Sequence, residues 1–241
     1  NWGGNSNGSA KRQFSEKFNF RSILKVSFGQ TFTQNAETKN WSKPVKSTDL
    51  IDWENLGRFT LGLFVDPYAA IRLETQFQNA SLVDAKRTLS PFKLTESVGL
   101  AHEFYKKDKD QLLSRLGLAV RQTFTKDIVD SLTLEIVNNS ATDGGLESVT
   151  DASLTISPNL KYSGKLTIYK AFFYSKKDDV AGTPAEDHWK AVDINWENII
   201  NASITKIISV NLYTQLLYDK EVSTKGRFKE TLGIGFVFKL I

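Results

Sequence analysis

Three observations predict an all-β chain and, more narrowly, an antiparallel transmembrane β-barrel of about ten strands with short periplasmic turns and long extracellular loops. Side chains alternate with period two along most of the 241 residues, no apolar run is long enough for a membrane helix, and connections sort by parity into short and long. A spanning helix needs about 20 nearly uninterrupted apolar residues. The best apolar stretch here, 204–217, is broken by Thr205, Lys206, Ser209, Asn211 and Gln215. In lipid the remaining way to satisfy every backbone amide is a closed barrel. The mean hydropathy of -0.30 agrees, since half of each barrel strand is polar.

The strands follow in order. Residues 14–32 set Phe18, Phe20, Leu24, Val26 and Phe28 against Lys17, Asn19, Arg21, Lys25 and Ser27. Residues 51–65 carry Phe59, Leu61, Leu63 and Val65 against Arg58, Thr60 and Gly62, and Asp66-Pro67-Tyr68 is the expected turn into a third strand over 69–78. Strands over 92–105 and 112–125 flank a charged turn at Lys106–Asp110. The sixth, 149–162, contains Pro158, which removes a ladder donor and predicts a bulge or break. Residues 165–175, 189–205 and 208–219 follow, and the last strand closes the chain.

In that closing strand Leu232, Ile234, Phe236, Phe238 and Leu240 share one face, with Thr231, Gly233, Gly235 and Lys239 on the other. A glycine-containing alternating strand with aromatics at this place resembles the C-terminal insertion signal of outer-membrane barrels, carried by Gly235, Phe236, Phe238 and Leu240. If it ends in the periplasm, the connections at 66–68, 106–110, 162–165 and 206–207 are periplasmic and short. Those near 35–49, 79–91, 126–147, 176–188 and 220–225 are extracellular and mostly longer, an asymmetry that barrels show. Trp53, Phe77, Phe92, Phe124, Tyr174, Trp189 and Tyr218 then form an outer aromatic girdle, and Tyr68, Phe104, Tyr105, Tyr162 and Phe238 an inner one. Residues 1–12 are expected to be an N-terminal periplasmic segment and 13–241 a single barrel domain, with twelve strands expected if the chain lacks its beginning.

Ile194-Asn-Trp-Glu-Asn-Ile-Ile200, Ser209 to Asp219 and Phe228 to Gly235 resemble an outer-membrane β-barrel family of Bacteroidota catalogued as domain of unknown function 3078, and Asn1-Trp-Gly-Gly-Asn-Ser6 resembles a motif near that family's beginning. The resemblance implies a barrel in the bacterial outer membrane and brings no catalytic residues. Asp130-Ser131-Leu132 resembles the three-residue O-glycosylation acceptor of Bacteroidota, which makes Ser131 a candidate modification site.

The net charge of +4 and a pI near 9.0 invite a nucleic-acid reading, but the basic residues are spread along the chain among 27 acids without a binding-module signature. Neither cofactor nor metal is expected. Cysteine is absent, and only two histidines exist, one on the lipid-facing side of a strand and one in a loop. Asp143, Asp178, Asp179, Glu186 and Asp187 lack the spacing of a calcium loop. A Ser-His-acid set cannot be assembled, so the chain is expected not to be an enzyme.

Alternation points Arg21, Lys25, Arg58, Arg72, Glu74, Lys93, Glu103, Arg115, Arg121, Asp193, Glu197 and Lys229 into the lumen. A barrel of about ten strands is narrow, so long side chains of opposite sign should bridge it. The expectation is a non-enzymatic scaffold or interaction subunit of a larger outer-membrane assembly. Its partners would be outer-membrane lipids, lipopolysaccharide and other outer-membrane proteins. A narrow anion-favouring channel for small solutes is the alternative.

Overall fold

The computed structural model describes residues 2–79, 87–130 and 135–236. Nearly all of them are antiparallel strand: β1 (Trp2–Gln13), β2 (Phe18–Thr31), β3 (Val45–Phe59), β4 (Asp66–Thr75), the two-residue β5 (Gln78–Asn79) and β6 (Arg87–Thr88), β7 (Phe92–Lys107), β8 (Asp110–Asp130), β9 (Glu135–Ser157), β10 (Leu160–Tyr174), β11 (Val192–Ser203), β12 (Ile208–Tyr218) and β13 (Arg227–Phe236). Apart from β5 and β6, which pair with each other, the strands form one eleven-stranded sheet in chain order. The all-β, up-and-down antiparallel fold class read from the sequence is the one observed. No described helix is long and apolar enough to cross a membrane.

Two compact units divide the chain. The first comprises 1–60, 69–96 and 120–142, and the second 61–68, 97–119 and 143–241.

The sheet begins earlier than the alternation suggests. Residues 2–13, expected outside it, pair with β2 over the whole of β1 without a register shift. The reason is legible afterwards: between Trp2 and Phe14 the only apolar side chain is Ala10, so there is no pattern to read, yet ladder hydrogen bonds need only backbone. Eleven strands that alternate in direction also leave β1 and β13 running the same way.

Three boundaries move. The second expected strand shifts to Val45–Phe59, and the turn is not Asp66-Pro67-Tyr68 but 60–65. There Gly62 takes a φ of 73° and the Leu61 amide donates to Asp66 Oδ1 at 3.1 Å. Leu61, Leu63 and Phe64 therefore lie exposed in the turn. The irregularity expected at Pro158 lies just before it, where the β9–β10 register skips Ile156 between the Ser157–Leu160 and Thr155–Lys161 pairs. Pro158 itself sits with Asn159 in the tight connection between β9 and β10, where a missing donor costs nothing. The long loop expected over 126–147 is largely strand, because β8 and β9 continue through it to Asp130 and from Glu135.

Parity sorting of the connections survives these shifts. Alternate connections at 14–17, 60–65, 108–109, 158–159 and 204–207 are short. Among the connections that lie wholly within the described residues, those at 32–44, 175–191 and 219–226 are longer.

The two sheet faces differ in chemistry. On β7 and β8, Val98, Leu100, Phe104, Leu116, Leu118 and Val120 are exposed, whereas Thr95, Ser97, Ala101, Leu113, Arg115 and Ala119, which alternate with them, are buried. Large apolar side chains thus line the exposed face of these strands and, Leu113 apart, small or polar ones the buried face. Gly99 and Gly117 permit the closest approach: a Cβ on Gly99 would meet the backbone of Leu116, and one on Gly117 the carbonyl of Val98 and the Tyr68 hydroxyl.

Tyr68, assigned to the inner girdle by sequence, is instead 4% exposed and packs over that glycine. Trp53 also leaves its girdle position. It is mid-strand on β3, exposed, and donates to Ser22 Oγ at 3.0 Å. Trp189 lies in a single 3-10 turn, His188–Lys190, and packs against Ala119, Tyr169 and Ala171, with Tyr174 stacked on it.

Candidate functional site

The polar face of the sheet carries two sets of paired charges, one in each unit. In the first, Arg72 on β4 clamps Asp52 on β3 with two bonds, 2.8 and 3.0 Å, and reaches Glu74 at 3.1 Å. Arg21 on β2 stands 3.6 Å from Glu54, and Lys25 is the register partner of Asp52. Asp52 and Glu54 are 3% and 5% exposed, so both acids sit where only a paired charge is tolerated. Above this group Lys46 bonds Asp49 at 3.1 Å and Gln76 at 2.7 Å, while the backbone amides of Phe77 and Gln78 donate to Asp49.

The second set is a ladder. Asp151, Lys165, Glu197, Gln215 and Lys229 are directly opposite one another on β9 to β13, in unbroken register. Opposed residues of an antiparallel pair project to the same side, so the five form one row across the sheet. Arg115 on β8 extends it, 3.5 Å from Asp151 and 5.6 Å above the Tyr68 ring. Signs alternate along the row: Arg115, Asp151, Lys165, Glu197, then Gln215 as a neutral spacer before Lys229. Lys165, Glu197 and Lys229 all have partners. Beside the ladder, Gln215 Nε2 donates to Asn195 Oδ1 at 2.8 Å, and Tyr169 donates to Asp143 at 2.5 Å.

Of the twelve charged residues selected from sequence, the structure joins Arg21, Lys25, Arg72 and Glu74 to the first set and Arg115, Glu197 and Lys229 to the second. Arg58 is buried opposite Asn19, and Glu103 takes bonds from Gln111 and, at 3.6 Å, Lys106. Asp193 faces Tyr169 in register, while Lys93 and Arg121 are half-buried on β7 and β8, Arg121 with an interaction of its own. Sequence reasoning missed Asp52, Glu54, Asp151 and Lys165. Counting back by twos from Arg58 and Ser153 would have found the three acids.

Other sequence candidates resolve less. Gly235 is paired with Ser209, and Phe236 with Ile208, at the end of β13, while Phe238 and Leu240 lie outside the described residues, as does Ser131. His102 stacks on Phe64 at 4.1 Å, meets Phe104 edge-on at 4.6 Å and bonds the Phe64 carbonyl through Nδ1. In the 175–191 connection Asp179 pairs with Lys176 at 3.1 Å and Asp187 with Lys190 at 2.6 Å. That second pair holds the Asp187 carboxyl below its ordinary range, through the Lys190 hydrogen bond first and its charge second. Among the described residues no three acids or histidines gather to hold a metal ion.

No family model matches the chain, and no curated protein does. Among solved structures, the NanC porin in a rhombohedral crystal form is similar to it at 9% identity and a TM-score of 0.45, over 98% of this chain and 97% of that one.

Proposed function

We propose that this chain is a non-enzymatic β-barrel of the bacterial outer membrane, acting as a scaffold or interaction subunit, with its interior filled by paired charges. The ladder from Arg115 to Lys229 carries this reading. A conducting pore that selects by charge presents one sign to the solute, whereas here acid and base alternate strand by strand. Such a row sets a polar side chain on each of six consecutive strands, β8 to β13, so that opposite charges lie side by side on neighbouring strands. The exposed apolar face supplies the hydrocarbon contact, and the parity-sorted connections support periplasmic placement of the short turns.

An antiparallel wall closes on itself only with an even number of strands. In this reading the wall is ten strands, β2 to β4 with β7 to β13, and it closes by β13 taking the edge of β2 that β1 covers. Planar-bilayer recording of the purified protein, with mild-detergent isolation of its native assembly, tests the proposal. The expected result is no reproducible conductance and a stoichiometric companion. Steady conductance that Lys165→Glu shifts in ion selectivity would establish the channel instead.

A further inference from the structure

The apolar face of β10 to β13 is interrupted by a polar row. Gly164 pairs with Asn198, Asn198 with Thr214 and Thr214 with Glu230, so these residues cross four strands side by side. They share the face of Trp196, Leu216 and Phe228, the row above, and of Ile200, Leu212 and Leu232, the row below. Trp196, Leu216, Phe228, Ile200 and Leu232 are all exposed. On β12, Thr214 lies six residues from Ile208 and four from Tyr218, which is roughly 20 and 13 Å along the strand. The row thus falls near the middle of the apolar band rather than at a headgroup boundary. The side chains of Thr214 and Glu230 have no hydrogen-bond or ion-pair partner among the described residues. Tyr162 lies over Gly164 and donates its hydroxyl to Asn198 Oδ1 at 2.7 Å, which leaves the Asn198 amide hydrogens pointing away as donors.

We propose that this row is the centre of an interface between two copies of the chain within the membrane, an inference that rests on the outer-membrane reading above. The argument is complementarity. The row has donors at one end, the Asn198 amide and the Thr214 hydroxyl, and an acceptor at the other, the Glu230 carboxylate. Two copies inserted in the same sense are related by a two-fold axis along the membrane normal. With that axis near Thr214, each row meets the other reversed, and each Glu230 is directed toward the donors of its partner. The small Gly164 and Thr214 admit close approach, and the apolar rows on either side exclude lipid and water from the polar centre. A carboxylate alone in hydrocarbon is unfavourable, and the two-fold gives both carboxylates partners with no residue from a third protein.

The chain has no cysteine, so single substitutions report contacts cleanly. Full-length Thr214→Cys protein, folded in phospholipid vesicles, should form a disulfide dimer on mild oxidation. Leu118→Cys, equally lipid-facing but on β8, should not. Adding Glu230→Leu to Thr214→Cys should lower the dimer yield by about a hundredfold, the loss of two charge-assisted bonds, one from each copy, and Glu230→Gln by less. Equal cross-linking at both positions, none at Thr214→Cys, or a yield indifferent to Glu230→Leu would overturn the interface. Thr214→Cys captured instead by a different outer-membrane protein would overturn the second copy as occupant. Failure of the barrel reading shows separately: the unoxidised wild type would lack a protease-protected core in vesicles.

Discussion

On β11 to β13 consecutive residues place one polar row on each face of the sheet: Glu197, Gln215 and Lys229 on one side, Asn198, Thr214 and Glu230 on the other. The two rows lie at the same level, because a strand sends neighbours to opposite faces. Their environments are unlike. Glu197 is 8% exposed and lies beside Lys165 in an alternating ladder, whereas Glu230 is exposed among large apolar side chains with no ion-pair partner among the described residues. The first row is satisfied within one chain and serves stability. The second is left for something outside the chain. A carboxylate's role here follows from which face it occupies, not from its type.

The sharpest break in that comparison is between Glu197→Leu and Glu230→Leu. Glu197→Leu should cost about 2–3 kcal/mol, since it removes a buried acid from beside the half-buried Lys165. Glu230→Leu should not destabilise the single chain, since it removes a lipid-facing carboxylate that has no partner among the described residues. Urea unfolding in detergent micelles, followed by tryptophan fluorescence, measures both, and equal losses would erase the distinction. The clamp in the other unit extends the same test: Arg72→Ala strands Asp52 and Glu74 together and should lose about 3–5 kcal/mol by that assay.

A smaller loss tests packing on the polar face. Gly117→Ala should cost about 1–3 kcal/mol, because its Cβ would press on the Val98 carbonyl and displace Tyr68 from beside Arg115. Tyr68→Phe in the Gly117→Ala background separates the two contacts. Removal of residues 1–13 should leave the remaining ten strands folded and protease-protected, and collapse of the truncated chain would make β1 part of the wall.

The smallest effect is expected at Asp187. Lys190 holds its carboxyl below the ordinary range, so the contribution of the pair is present above the usual carboxylate pKa and fades as pH falls through the lowered value. A carboxyl titration by NMR should show that lowered value and its return to the ordinary range in Lys190→Ala, with no measurable change in overall stability near neutral pH.

Legibility in the sequence followed the strength of the alternation. Where large apolar residues alternate with polar or charged ones, as from Phe18 to Phe28, the strand was legible, and Leu24 lies exposed on the face the alternation gives it. Where side chains are uniformly small and polar, as in β1, nothing distinguishes a strand from a free segment. Turn positions slipped where the residues are themselves apolar. Leu61, Leu63 and Val65 continue the alternation of β3 into a connection whose geometry is set by Gly62 and Asp66. Aromatic residues misled in the same way: Tyr68 and Trp189 have girdle chemistry but fill space over Gly117 and Tyr169.

The sequence by itself determined the fold class, the strand directions, the sorting of connections and which charges share the polar face, because each follows from a period of two along one chain. Only the tertiary structure decided the partners. Register between strands is set by hydrogen bonds and turn lengths across the sheet, and a shift of two residues would keep every face while pairing Lys165 and Glu197 with different neighbours. The charge ladder, the Arg72 clamp and the outward row of Asn198, Thr214 and Glu230 exist only once that register is fixed.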